Sequence, residues 1–175
     1  KHLELEQKSL RKQLDQDALT GVSSRTSLLR ELQDSIERAS KTGQPLVVIM
    51  ADLDHFKAIN DRQGHLVGDR VLKEVAARIR AALREFDLVG RYGGEEFVIL
   101  LEDTSTHTAL QIAERIRARI SSEPIHVAAQ DMLVTISQGL ALCGEDDDCQ
   151  SILGRADQAM YRAKQAGRNC VVEQQ

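Results

Sequence analysis

A chain of 175 residues, 42% hydrophobic and 29% charged, has enough apolar material for one globular core. Its net charge of −4 creates no global field that would draw a nucleic-acid backbone, and its 3% aromatic share provides no platform for stacking single-stranded bases. An anionic ligand must therefore be held locally, by side-chain cations, a metal ion or helix N-termini.

Residues 1–16 are polar and helix-favouring, and Leu3, Leu10 and Leu14 fall on one stripe. This fits a signalling helix or short coiled coil, set apart from a domain over 17–175. Asp17 to Ser24 break the pattern, and Ser23 or Ser24 is placed to cap a helix running to about Ala39 with Leu28, Leu29, Leu32 and Ile36 inward. Gly43-Gln44-Pro45 turn the chain into Leu46–Ala51, whose β-branched run predicts a central buried strand. His55 to Asn60 read as helical, and 66–84 as an amphipathic helix with Val71, Leu72, Val75, Ile79 and Leu83 inward. A strand near Leu88-Val89, a turn at Gly93-Gly94 and a strand over Phe97–Leu101 read as a β-hairpin, the glycines reversing the chain with φ > 0. A helix over 107–121 follows, then strands at 125–128 and 132–142 separated by Gln130-Asp131. A last helix over 151–165 is capped by Gly167, and Cys170-Val171-Val172 adds an edge strand. The hairpins preclude an all-parallel sheet, so the expected fold is α/β in the α+β sense: a central, mainly antiparallel sheet covered by helices.

Cys143, Cys149 and Cys170 show no metal-ligand spacing and are expected to be reduced thiols of a cytoplasmic domain. No apolar run is long enough to cross a bilayer. Because the chain opens on Lys1, it is expected to be excised from a longer protein, one that carries an upstream sensor and can itself be membrane-anchored.

Chemistry concentrates in two acidic clusters. Asp52 directly follows six apolar residues, where a carboxylate must be solvated, paired or metal-bound. Asp54 shares its face by two-residue alternation and can equally cap the following helix. Glu95 and Glu96 open the returning strand of the hairpin. Carboxylates converging from two strand ends make a hard-oxygen site suited to magnesium beside nucleotide phosphates. Beyond them, Asn60, His65 and Asp69 crowd a loop and helix start. An Asn amide and an Asp carboxylate can together read a guanine edge, although a turn and an N-cap would use the same residues. Lys164 and Arg168 lie four apart near the last helix terminus, placed to complement its dipole or to clamp phosphates. Lys57 lies close to the first acidic pair. There is no Walker loop, dinucleotide fingerprint or HExxH, and no spacing supports a nucleophilic triad.

Three ordered motifs, Asp52-Leu53-Asp54-His55-Phe56-Lys57-Ala58-Ile59-Asn60-Asp61, Gly64-His65 with Gly68-Asp69, and Arg91-Tyr92-Gly93-Gly94-Glu95-Glu96-Phe97, resemble the GGDEF domain of bacterial diguanylate cyclases. So does the tail from Ala156-Asp157 through Lys164 to Gly167-Arg168-Asn169. The resemblance implies a nucleotide-cyclase or polymerase-palm fold that condenses two GTP into cyclic di-GMP at a homodimer interface, with magnesium (manganese as an alternative) as cofactor. It implies Asp52, the Leu53 carbonyl and Glu95 as metal ligands, and Glu95, Glu96 and Lys57 in catalysis. Asn60 and Asp69 would read guanine with His65 nearby, while His55, Phe56, Lys164 and Arg168 hold phosphates. It further implies a product-inhibition site at Arg84 and Asp87, with Arg115 as a second ligand for cyclic di-GMP; an ordinary helix-terminal ion pair is the plain alternative. Ser24 and Val22 depart from the family's leading turn, where asparagine and leucine are usual. A non-catalytic nucleotide-sensing module and a purely structural relay are the competing functional readings.

Overall fold

The computed structural model describes residues 1–175. Its centre is a five-stranded sheet in the order β2-β3-β1-β6-β7. β1 (Leu46–Leu53) is the middle strand, antiparallel both to β3 (Glu96–Glu102) and to β6 (Ile136–Leu142). β2 (Leu88–Arg91) pairs with β3, and β7 (Val171–Glu173) closes the far edge as the only parallel partner. All eight residues of β1 are buried, which accounts for an apolar run without alternation.

Two-residue periodicity divides the core between the sheet faces. Val47, Ile49 and Ala51 face α4 (His65–Ala82) and α5 (Thr106–Ser122), while Val48 and Met50 face α2 (Arg25–Thr42) and α6 (Cys149–Gln165). α6 lies unusually close to β6. A Cβ on Gly139 would come within 2.1 Å of the Met160 amide nitrogen and 2.2 Å of the Ala156 carbonyl oxygen. Helix α2 is capped by Ser24, whose side chain accepts from the Ser27 amide, and stops at Gly43 with φ 71°. Three arginines lock α4 and α5 together. Arg78 donates to the Ile120, Glu123 and Pro124 carbonyls at the end of α5, while Arg119 and Arg115 donate to Ala81 and Ala82 at the end of α4. Each helix thus has its orphan C-terminal carbonyls satisfied by the other's side chains.

Several elements differ from the sequence expectation. Helix α4 ends at Ala82, so Arg84 lies in the turn beyond it. The segment 132–142 is not one strand: β4 (Ile125–Val127) and β5 (Gln130–Met132) form a separate hairpin, and β6 begins only at Ile136. Gln130 and Asp131 therefore sit within β5, and the reversal falls instead at Ala128, with φ 55°. Gly93 and Gly94 do form the hairpin tip, yet neither takes the left-handed conformation. The stripe on α1 (His2–Leu14) buries nothing: Leu3, Leu10 and Leu14 are exposed. All three cysteines are free, and no helix is long and apolar enough to cross a membrane.

Candidate active site

Register brings the two acidic clusters together. Asp52 on β1 pairs directly with Glu96 on β3, and the Leu53 amide donates to the Glu95 carbonyl at 3.2 Å. Asp52 is 6% exposed. Its Oδ1 lies 2.9 Å from Lys164 Nζ, the cation that α6 delivers from the neighbouring layer, but has no well-angled hydrogen-bond donor. Burial pushes the Asp52 carboxyl above its usual range, with Glu95 and Asp54 adding to the push and Lys164 opposing it. Burial also raises Glu96, reinforced by the charges of Asp52, Asp157 and Glu95. Asp157, one turn from Met160 on α6, lines the same cleft as Glu96 and Tyr92. Sequence reasoning gave Asp157 no role of its own.

Asp54 belongs to the scaffold. It accepts from Thr135 Oγ1 at 2.7 Å, Ser137 Oγ at 2.6 Å and the Asn169 amide at 3.0 Å. With its oxygens committed it ties β1 to β6 and to the segment after α6, and caps no helix. His55 (φ 58°), Arg168 (φ 64°) and Asn169 (φ 46°) are all left-handed non-glycine residues around this tie. Arg168 consequently stands beyond α6, exposed, not on the helix with Lys164.

His55 is the N-cap of α3 (Phe56–Gln63) and makes no side-chain cap. The amides of His55, Phe56 and Lys57 donate to no backbone carbonyl. They leave an open, electropositive helix start just past β1. Lys57 is exposed and unpaired. At the far end of α3, Asn60 is half-buried, while His65 and Asp69 stand on the first turns of α4, His65 exposed and Asp69 half-buried.

The hairpin is braced from behind by a residue whose role the sequence did not reveal. Arg91 donates through Nε and Nη2 to the Gly94 carbonyl, at 3.1 and 2.8 Å, and its Nη1 lies 3.4 Å from both carboxylate oxygens of Asp17. Asp17 also accepts from the amide and hydroxyl of Thr20. At the other end of β2, Arg84 and the fully buried Asp87 carboxylate form a bidentate pair, and Arg84 Nη2 also donates to Thr104 Oγ1 at 2.7 Å. The Arg84 guanidinium lies over Phe86, 4.7 Å from the ring centroid, and its Nη1 makes no hydrogen bond. Arg115 donates to the Ala82 carbonyl and forms no hydrogen bond or ion pair with Asp87.

The family model described as diguanylate cyclase, GGDEF domain matches residues 14–170. The chain belongs to the GGDEF family. It is 46% identical to the response regulator PleD of Caulobacter vibrioides over 89% of this chain and 35% of PleD. It is 42% identical to diguanylate cyclase DgcP of Pseudomonas aeruginosa over 87% of this chain and 23% of DgcP. The chain therefore spans about a quarter to a third of the length of these relatives. A crystal structure of the coiled coil and GGDEF domain of DgcB from Caulobacter crescentus, in complex with c-di-GMP, superimposes with a TM-score of 0.94 at 28% identity, covering 98% of this chain and 92% of that one. The mainly antiparallel sheet, its covering helices and the N-terminal helix all have counterparts in GGDEF structures.

GGDEF diguanylate cyclases need a divalent metal. The donor set here fits one in chemistry: hard oxygens from Asp52 and Glu95, with a buried Asp52 oxygen that already draws a cation. No three acidic, histidine or cysteine side chains stand together as a ready metal cage.

Proposed function

We propose that this domain is the catalytic unit of a diguanylate cyclase. Each protomer holds one GTP, and two protomers meet as a homodimer. The 3′-oxygen of each GTP bonds to the α-phosphorus of the other as the bond to pyrophosphate breaks, so two GTP give one cyclic di-GMP and two pyrophosphates. The observation that carries the reading is the intact carboxylate set, Asp52 paired in register with Glu96 and joined by Glu95 at the hairpin.

In this reading Asp52, the Leu53 carbonyl and Glu95 hold magnesium, with manganese able to substitute. When bound, the ion neutralises phosphate charge and orients the α-phosphorus. The open amides of His55 and Phe56 receive phosphate oxygens, and Lys164 and Arg168 supply positive charge. Glu96, its proton affinity raised by burial and neighbouring carboxylates, accepts the proton of the attacking 3′-hydroxyl, assisted by Glu95. Lys57, unpaired on α3, meets the charge that develops as the phosphoryl group transfers. Asn60 and Asp69 read the guanine, with His65 beside them. One protomer supplies half of each reaction centre, so alignment of the two halves limits the rate.

Arg84, with its free Nη1 and its Phe86 face, and Asp87 form the inhibitory site for cyclic di-GMP, with Arg115 as a second ligand after release from Ala82. An upstream sensor acts through α1. The direct test incubates the protein with GTP and magnesium over a range of protein concentrations and measures cyclic di-GMP and pyrophosphate. Product should rise more steeply than protein concentration; GTP binding without pyrophosphate release at every concentration overturns the reading. Added cyclic di-GMP should inhibit, and Arg84→Ala should remove that inhibition.

A further inference from the structure

The crook between α3 and α4 is closed by a residue with no side chain. Gly68, on the second turn of α4, is buried, and its Cα faces the end of Asn60. A Cβ built there would lie 1.9 Å from Asn60 Oδ1, 3.0 Å from its Cγ and 3.3 Å from Phe56 Cζ. Asn60 Oδ1 is itself buried and has no hydrogen-bond partner. The backbone offers no other reason for a glycine. Gly68 has no positive φ and sits inside a regular helix, where glycine is less favourable than alanine. The atom in the way belongs to the tip of a flexible side chain, so an alanine would displace the Asn60 amide without breaking the fold.

We propose that Gly68 is a positioning residue for base selection: its missing side chain is the space in which the Asn60 amide lies. This rests on the reading that Asn60 faces the guanine of GTP. Guanine and adenine present opposite donor and acceptor groups at position 6, so a misplaced amide loses discrimination more than general nucleotide affinity.

The test compares Kd for GTP and for ATP in the wild type, Gly68→Ala, Asn60→Ala and the double variant, alongside thermal melts. Gly68→Ala should lower the GTP-over-ATP preference about tenfold, the equivalent of one well-made hydrogen-bond contact. The melting temperature should stay close to wild type. In the Asn60→Ala background, where the space is already empty, Gly68→Ala should change the preference no further. If Gly68→Ala proves poorly folded, the double variant must recover the melting temperature. Selectivity lost in Asn60→Ala but kept in Gly68→Ala overturns the inference alone, as does an undiminished Gly68→Ala effect in the Asn60→Ala background. An Asn60→Ala variant with wild-type selectivity overturns the guanine-reading premise and the inference with it.

Discussion

Lys164 Nζ stands 2.9 Å from Asp52 Oδ1, so the most deeply placed carboxylate of the site already carries a positive neighbour. Asp52 is nearly inaccessible, and removing its counter-charge would leave it buried and unpaired. Lys164→Met should therefore lower stability by about 2 kcal/mol in a metal-chelating buffer. That corresponds to roughly 4–8 °C in Tm for a chain of this size. Magnesium or manganese should narrow the gap, because a divalent ion that binds only the folded state restores the missing charge and adds its binding free energy. Equal melting temperatures for the two proteins in chelator would show that the pair contributes nothing.

Glu96 should behave in the opposite sense. Its proton affinity is raised in the folded state, first by burial and then by Asp52, Asp157 and Glu95. An acid with a raised folded pKa binds more protons folded than unfolded, so its contribution to stability is lost as pH rises above the ordinary glutamate value of about 4.3. At neutral pH it works against folding. Glu96→Gln should raise Tm by a few degrees at pH 7 and flatten the decline between acid and neutral pH, while lowering kcat at least about 100-fold. Paired melts at pH 4 and pH 7 check the first part, and a pyrophosphate assay the second.

Asp17 is the mirror case. Burial disfavours its charge, but hydrogen bonds from the Thr20 hydroxyl and amide and the charge of Arg91 outweigh burial and hold the carboxyl below its usual range. Its stabilisation is present above the ordinary aspartate value of about 3.9 and is lost as pH falls through the lower folded value. Asp17→Asn should cost about 1 kcal/mol at pH 7 and progressively less in acid. Because Arg91 also grips the Gly94 carbonyl, the variant should lower kcat several-fold with little change in KM. Unchanged turnover would show that the hairpin holds itself.

Gly139 marks the tightest contact between sheet and helix. Gly139→Ala would drive a methyl group into the backbone of α6, where no side-chain rotation relieves it. The expected cost is about 3 kcal/mol, at the upper end for overpacking, measured by chemical denaturation. A loss below about 1 kcal/mol would mean that α6 can ride outward freely.

What the sequence made legible was whatever repeats or is buried on both sides. β1 and β3 announce themselves because a central strand needs apolar residues on both faces, and α2, α4 and α5 because one stripe packs on the sheet. The acidic motif likewise pointed to strand ends that meet. What stayed hidden depends on non-local partners. Asp54 looks free to cap a helix until Ser137 and Thr135, more than eighty residues on, claim its oxygens. Strand β4 is legible at 125–128, but β5 merges with β6 in the sequence reading because the turn between β4 and β5 uses alanines, not the Gln130-Asp131 pair that carries turn chemistry. Lys164 reads as a helix-terminal cation, and only the packing of α6 on β1 shows that it meets Asp52. Arg91 sits inside the hairpin motif, but nothing in a linear motif says that it reaches back to residue 17.

Helix α1 contributes no residue to either core cluster, and its passage to α2 is secured by the Asp15–Arg30 pair and the bridge between Gln16 and Ser23. The folding free energy of the domain thus has almost no stake in α1. The rotational phase and length of α1 can therefore change without disturbing the packing of the domain. A single-residue insertion before residue 15 would turn α1 by about 100° while the melting curve stays where it was, and under the proposed function that turn would reset the coupling between α1 and catalysis.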